Sequence, residues 1–271
     1  MKIPTRRIPI NRREFLDRSA KLVLGVAAGS LALPTLTRAG LQEKAVVSIA
    51  RIRNGNVGGA VEEAIDLLGG IGEVTKGKDR IMLKPNLVSP QPTATTKPAV
   101  IKSLAEVMKR AGKDVVIGEG SAACPPFNVR GSEVFRTSKR ELLDKMQQYT
   151  FDSLGYTELA KSLGVPLVNL HSGDLVEVDV PNAFVFGKLT LHRSLTDIDL
   201  LCSVPMMKTH SLAQVTLGMK NLVGLYPGTV YQSVRGRMHD LASAVEPSGT
   251  AVAIVDMVRA NKLGLVVVDA S

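Results

Sequence analysis

The chain has 271 residues, 45% hydrophobic, 22% charged and only 4% aromatic, with a net charge of +9. These fractions belong to a globular protein and exclude a disordered or fibrous one. The charge is uneven, +6 on residues 1–39 and only +3 on the rest, which leaves no field suited to a phosphate backbone and excludes nucleic acid as an expected partner.

Residues 1–39 read as a twin-arginine signal peptide. Arg12-Arg13-Glu14-Phe15-Leu16 sets an arginine pair one residue before Phe-Leu, and Thr37-Arg38-Ala39 is a small-residue cleavage site. The intervening apolar run, 22–36, is interrupted by Gly25, Gly29 and Pro34, too short and glycine-rich for a comfortable membrane span. The alternative is an uncleaved anchor or amphipathic helix. The signal reading makes the twin-arginine translocase a partner during export. It places the mature chain in the periplasm or another extracytoplasmic space, with no stable membrane span. That pathway carries folded proteins, often with a cofactor already inserted. The two cysteines, Cys124 and Cys202, exclude a disulfide-dense scaffold and a four-cysteine zinc or iron–sulfur site made by this chain alone. An oxidising compartment would permit them to pair, but nothing local brings them together.

The remaining 40–271 are expected to form one α/β domain. Residues 45–52 read as a strand, 57–68 as a helix closed by Gly69-Gly70, and 80–83 as a strand closed by Lys84-Pro85-Asn86. A helix over 98–111 has Val100, Ile101, Leu104, Val107 and Met108 on one face, with Pro98 at its start and Gly112 at its end. Residues 114–117 form the next strand, closed by Gly118-Glu119-Gly120, and 121–137 a loop. Helices are expected over 139–149 and 156–163 and a strand over 167–170. An antiparallel pair follows, 175–180 with 183–191, turning on Pro181-Asn182. Then come a strand over 200–204, helices over 215–225 and 237–245, and strands over 251–255 and 265–268. This alternation predicts a mostly parallel sheet with flanking helices and a small antiparallel hairpin insertion. Chain end Ser271 follows the last strand closely, so that strand is either at an edge or the C-terminus is truncated.

In open parallel sheets ligands sit beyond the carboxyl ends of the strands. Polar residues fall there repeatedly: Lys84 and Asn86, Glu119, Lys208 with Thr209 and His210, Asp256, and Asp269. Glycines on both sides of Glu119 permit close backbone approach. The densest stretch, Pro205 to Gly224, holds Lys208, His210, Lys220 and Asn221 among apolar residues. Lysines there supply positive charge for an anion and His210 a proton carrier or metal ligand; a snorkelling lysine and a loop histidine are the plain alternatives. His239 is a candidate second metal ligand beside His210, whereas His171 and His192 flank the hairpin and read as structural. Gly55-Asn56-Val57-Gly58-Gly59 reads as a tight turn, since it lacks the spacing of a dinucleotide fingerprint. There is no P-loop, His-Glu-x-x-His or Gly-x-Ser-x-Gly.

Four ordered motifs carry a family resemblance: Met82-Leu83-Lys84-Pro85-Asn86-Leu87-Val88, Thr95-Thr96-Lys97-Pro98 with Val116-Ile117-Gly118-Glu119, Met207-Lys208-Thr209-His210, and Leu217-Gly218-Met219-Lys220-Asn221-Leu222-Val223-Gly224. Over about residues 80–271 the chain resembles the domain-of-unknown-function family 362. Some members of that family are attached to ferredoxin-like iron–sulfur domains, which implies a possible iron–sulfur partner protein. A more distant similarity is to the catalytic domain of nickel-pincer lactate racemases, where a histidine and a cofactor-linked lysine lie ten apart, as do His210 and Lys220; the full racemase histidine pattern is not present. What the family implies is modest, and the residues at the strand ends point to a cofactor- or metal-dependent enzyme of redox or isomerase type acting on an anionic small molecule. Its catalytic residues would be His210, Lys220 and Lys208. Lys84, Asn86, Glu119, Lys220 and Asn221 would hold a cofactor, and His210 and His239 a metal. No particular cofactor is named. The alternative is a non-catalytic cofactor-binding or assembly partner of an exported iron–sulfur oxidoreductase.

Overall fold

The computed structural model describes residues 45–210, 213–246 and 248–271; the signal peptide read at 1–39 lies outside the described residues. Helix α1 (Val57–Asp66) opens on Asn56, whose side chain accepts the Gly59 N–H at 2.9 Å. A single turn, α2 (Ile71–Val74), leads into strand β1 (Arg80–Pro85). Helix α3 (Pro98–Arg110) begins on a proline, whose missing N–H is harmless in a first turn, and buries Val100, Ile101, Leu104, Ala105, Val107 and Met108. Strand β2 (Asp114–Glu119) follows, then a long loop holding the two-residue strands β3 (Val129–Arg130) and β4 (Glu133–Val134). Helices α4 (Arg140–Ser153) and α5 (Tyr156–Leu163) precede β5 (Leu167–Asn169); Gly164 ends α5 in the left-handed conformation at φ 61°. Strands β6 (Leu175–Asp179) and β7 (Lys188–His192) form the antiparallel hairpin. After β8 (Leu200–Val204) come the short hairpin β9 (Lys208–His210) and β10 (Gln214–Thr216) and the single-turn helices α6 (Gly218–Asn221) and α7 (Gly228–Tyr231). Helices α8 (Gly236–Val245) and α9 (Gly249–Arg259) and strand β11 (Leu263–Val266) complete the order.

The main sheet runs β11-β8-β1-β2-β5 and every pairing in it is parallel. The α/β architecture expected from the alternation of elements is therefore the one that forms. Central strands are covered on both faces, as their apolar runs require. Ile81 and Leu83 of β1 join a core with Val61, Leu104 and Leu159 from α1, α3 and α5. Met82 points the other way, into a core with Leu189, Leu191, Met238 and Met257 from the hairpin, α8 and α9. β11 lies at the sheet edge. No single helix among the described residues is long and apolar enough to cross a membrane.

Several expected elements differ. Residues 45–52 form no strand: Val46, Val47 and Ile49 are exposed, and no described segment pairs with them to turn β-prone composition into a strand. Residues 251–255 lie inside helix α9, where Ala253, Ile254 and Met257 recur at helical spacing. A short apolar run does not separate the two possibilities. Residues 215–225 are split among β10, α6 and a 3-10 turn at Leu222–Leu225, not one helix. Close crossings set this path: a Cβ on Gly218 would lie 2.7 Å from Val266, and one on Gly224 would lie 2.2 Å from the Glu119 carboxylate. The hairpin connection is longer than the Pro181-Asn182 turn, because Asp256 holds its far side. That carboxylate accepts the N–H groups of Phe184, Val185 and Phe186 at 2.8, 2.8 and 2.9 Å. Asp256 is thus a buried anchor of the hairpin. Both cysteines are buried and unpaired.

Candidate functional site

The chain winds outward from β1 to β2 and β5, then returns to the other side of β1 for β8 and β11. The order therefore reverses between β1 and β8, the place where open α/β sheets form a crevice at their carboxyl ends. Lys84 of β1 is in register with Ser203 of β8 at this point. Sequence reasoning had not singled out Ser203.

Lys84 is fully buried and Glu119, at the end of β2, is 2% exposed. The Lys84 ammonium donates to both Glu119 oxygens at 2.8 Å, with the Pro85 carbonyl at 2.9 Å and Asn221 Oδ1 at 3.1 Å also in reach. Glu119 accepts in addition from the Leu87 N–H at 2.9 Å and the Gly120 N–H at 2.8 Å. Asn221 Nδ2 closes the network on the Lys84 carbonyl and on Ser203 Oγ, both at 3.1 Å. Burial lowers the Lys84 pKa and the Glu119 carboxylate opposes that shift. Lys84, Glu119 and Asn221 are thus brought together, but as a buried and saturated knot. Lys84 does not open onto a cleft. Asn86 stands next to it, its N–H on Thr96 Oγ1 at 2.8 Å and its own Oδ1 buried without a hydrogen-bond partner.

Arg235 is the functional candidate that sequence reasoning missed. It is 1% exposed and donates to the carbonyls of Val223, Ser121, Gly120 and Gly224. Its pKa is lowered to about 10 by burial, with the Glu119 carboxylate acting in the other direction. The backbone at Gln232, Val234 and Arg235 has φ 65°, 49° and 56°, a left-handed path that non-glycine residues adopt at a cost. Arg235 ends a short 3-10 turn, Ser233–Arg235, just before α8, a stretch with no periodicity, so no sequence signal marked it.

Lys208, His210, Lys220 and His239 are only partly buried. Lys208 bonds the Ala94 carbonyl. The Lys220 pKa is lowered to about 8 by burial and by the charges of Arg235, Lys84 and Lys208. Burial, then Lys220 and Lys208, lower that of His210. His239 bonds Thr250 Oγ1 at 2.9 Å, and burial, then Lys220, lower its pKa. Both imidazoles are thus within electrostatic reach of Lys220. Among the described residues, no group of three or more His, Cys, Asp or Glu side chains is placed to hold a metal ion. The Asp269 carboxylate accepts the Lys97 N–H at 2.8 Å, at the start of α3. Two surface clefts, of about 460 and 340 Å³, are lined by residues of α4 and α5 and of α1 and α3, and neither includes a member of the cluster.

Fold and site define a doubly wound α/β protein with a cationic cluster at its topological switch point. The profile described as Domain of unknown function (DUF362) matches residues 81–271, and the chain belongs to that family. It is 27% identical over 178 residues to the thylakoid-associated protein sll1697 of Synechocystis, a match covering 64% of this chain and 47% of that protein. It also resembles the lactate racemase apoprotein from Thermoanaerobacterium thermosaccharolyticum, with a TM-score of 0.47 and 14% identity, over 80% of this chain and 48% of that one. The chain spans about half the length of each.

Proposed function

We propose that this DUF362 protein is exported and binds an anionic small molecule or cofactor at the carboxyl edge of its sheet. There it acts as an enzyme of redox or isomerase type. One observation carries the reading: Asn221, next to Lys220, bonds the Lys84 carbonyl, Arg235 bonds the carbonyls of Gly120 and Ser121 just after Glu119, and Lys84, Lys208 and Arg235 all lie close enough for their charges to act on Lys220. Such an excess of positive charge favours an anion beside it. Lys208 and Lys220 contact the ligand, and the buried Lys84–Glu119–Asn221 knot holds the strand ends that present them. His210, neutral near physiological pH because its pKa is lowered, accepts or returns a proton. A metal at this edge would take His210 and His239 as its imidazole donors. The export reading rests on the twin-arginine pattern and is supported by the thylakoid association in the relative's name.

Elemental analysis and intact mass of protein exported from its native host test this. A bound metal or an added mass that is lost in Lys220→Gln supports the enzyme reading. A metal-free protein of bare chain mass, with partners unaffected by His210→Gln, supports the assembly role beside an iron–sulfur protein.

A further inference from the structure

The hairpin of β9 and β10 is two-sided. Its register pairs Lys208 with Thr216, Thr209 with Val215 and His210 with Gln214. Side chains alternate between the faces of a strand, so Lys208 and Thr216 share one face while Met207, Val215 and Leu217 belong to the other. The first face is covered: Thr216 is 3% exposed, and the Lys208 ammonium bonds the Ala94 carbonyl. The second is bare, with Met207, Val215 and Leu217 exposed at 53, 50 and 40%. It continues onto the sheet edge. The Met207 N–H donates to the Asp269 carbonyl at 2.8 Å, and a Cβ on Gly218 would lie 2.7 Å from both methyl groups of Val266. Met219, Val266 and Val268 are exposed there as well. A contiguous apolar strip of this kind marks a protein or a membrane contact.

Charge and edge geometry separate the two. Residues 200–238 hold Lys208, Lys220, Arg235 and Arg237 and not one Asp or Glu. Lys208 directly follows Met207, and Lys220 directly follows Met219. Asp269, beside Val268, is 3% exposed, and its oxygens accept from the Lys97 N–H and from the N–H and hydroxyl of Ser271. The strip is thus interleaved with positive charge that these segments do not offset with an exposed carboxylate. An anionic lipid surface suits that combination: apolar side chains enter the acyl boundary and lysines meet the headgroups. A partner strand added to β11 suits it less, because the β11 register shifts between Leu263 and Leu265, an irregularity that blunts an edge.

We propose that the β9–β10 hairpin and the β11 edge form a docking face for an anionic lipid bilayer, on which the chain rests without spanning it. The face shares Lys208 and Lys220 with the proposed site but needs no ligand there, so it holds even for protein of bare chain mass. The chain has no tryptophan, so Val215→Trp in the full chain places a single reporter on the strip. The probes are vesicles of phosphatidylcholine alone and of equal parts phosphatidylcholine and phosphatidylglycerol, each with and without brominated acyl chains. In the mixed vesicles the reporter should shift to the blue and be quenched by bromine, with half-quenching at about tenfold less lipid than in phosphatidylcholine alone. Added salt should weaken it. Tyr149→Trp, exposed on α4 at the β5 side of the sheet, should stay unquenched, which separates docking of this face from attachment through residues 1–39. Adding Met207→Ser/Leu217→Ser to Val215→Trp should abolish quenching, and adding Lys208→Gln/Lys220→Gln should narrow the preference for mixed vesicles by about fivefold per charge removed. No quenching in mixed vesicles, equal response to both lipids, or equal quenching in Tyr149→Trp would overturn the proposal. So would a blue shift without lipid that grows with protein concentration, which would put a second copy of the chain on the strip.

Discussion

Glu119→Gln is the sharpest single perturbation of the buried knot. It preserves the side-chain shape and removes the charge. Every group facing the carboxylate is a donor: the Lys84 ammonium on both oxygens, the Leu87 N–H and the Gly120 N–H. A glutamine must turn its NH₂ against one of them while Lys84 stays buried without a counter-charge. Breaking one partner of a buried pair costs about 3–5 kcal/mol. For a domain of this size each kcal/mol lowers the midpoint by about 2–4 °C, so a loss of roughly 6–20 °C is expected. Thermal and urea unfolding followed by circular dichroism at neutral pH measure it. Lys84→Met is expected to cost a similar amount. Lys84→Met/Glu119→Leu should cost less than the two singles combined, because neither charge is then left alone. A Glu119→Gln protein within about 1 kcal/mol of wild type would refute the reasoning, since surface substitutions behave that way.

Gly224→Ala should destabilise by about 1–3 kcal/mol in urea unfolding, because the added methyl group would lie 2.2 Å from Glu119 Oε1 and 2.7 Å from Lys84 Nζ. Asp256→Asn turns an amide donor toward three backbone N–H groups; hydrogen exchange at Phe184, Val185 and Phe186 should accelerate, with a loss of about 1–3 kcal/mol. The depressed Lys220 pKa means that below about 8 the folded chain bears the full cost of keeping that lysine charged, and that the cost disappears as pH rises toward 10.5. Lys220→Met should therefore be the more stable protein at neutral pH, with the difference shrinking as pH rises from 8 toward 10.5. A pH series of urea midpoints that shows the opposite slope rejects that assignment.

The sheet was legible because its strands are buried on both faces and their apolar runs are closed by polar or glycine residues, as at Lys84-Pro85-Asn86 and Gly118-Glu119-Gly120. Amphipathic helices such as α3 were legible from spacing alone. The run at 251–255 was not, since a few apolar residues fit strand and helix equally until Met257 extends the helical period. Residues 215–225 misled for another reason: Gly218 and Gly224 are fixed by contacts with Val266 and Glu119, which are remote in sequence. Of the site, Lys84, Glu119 and Asn221 were found by their place at strand ends and in the motifs. Their mutual saturation could not be, because it depends on carboxylate and ammonium meeting across 35 positions of chain. Arg235 was beyond reach, since only its burial distinguishes it from an ordinary surface arginine.

The account turns on Lys220 lying in a half-buried field of like charges. Competitive amine labelling with mass spectrometry, repeated across pH, reads this directly. Lys220 should label with an inflection near 8, below the ordinary lysine range near 10.5. If Lys220 instead labels with an inflection near 10.5, the cationic cluster at the carboxyl edge does not exist as described.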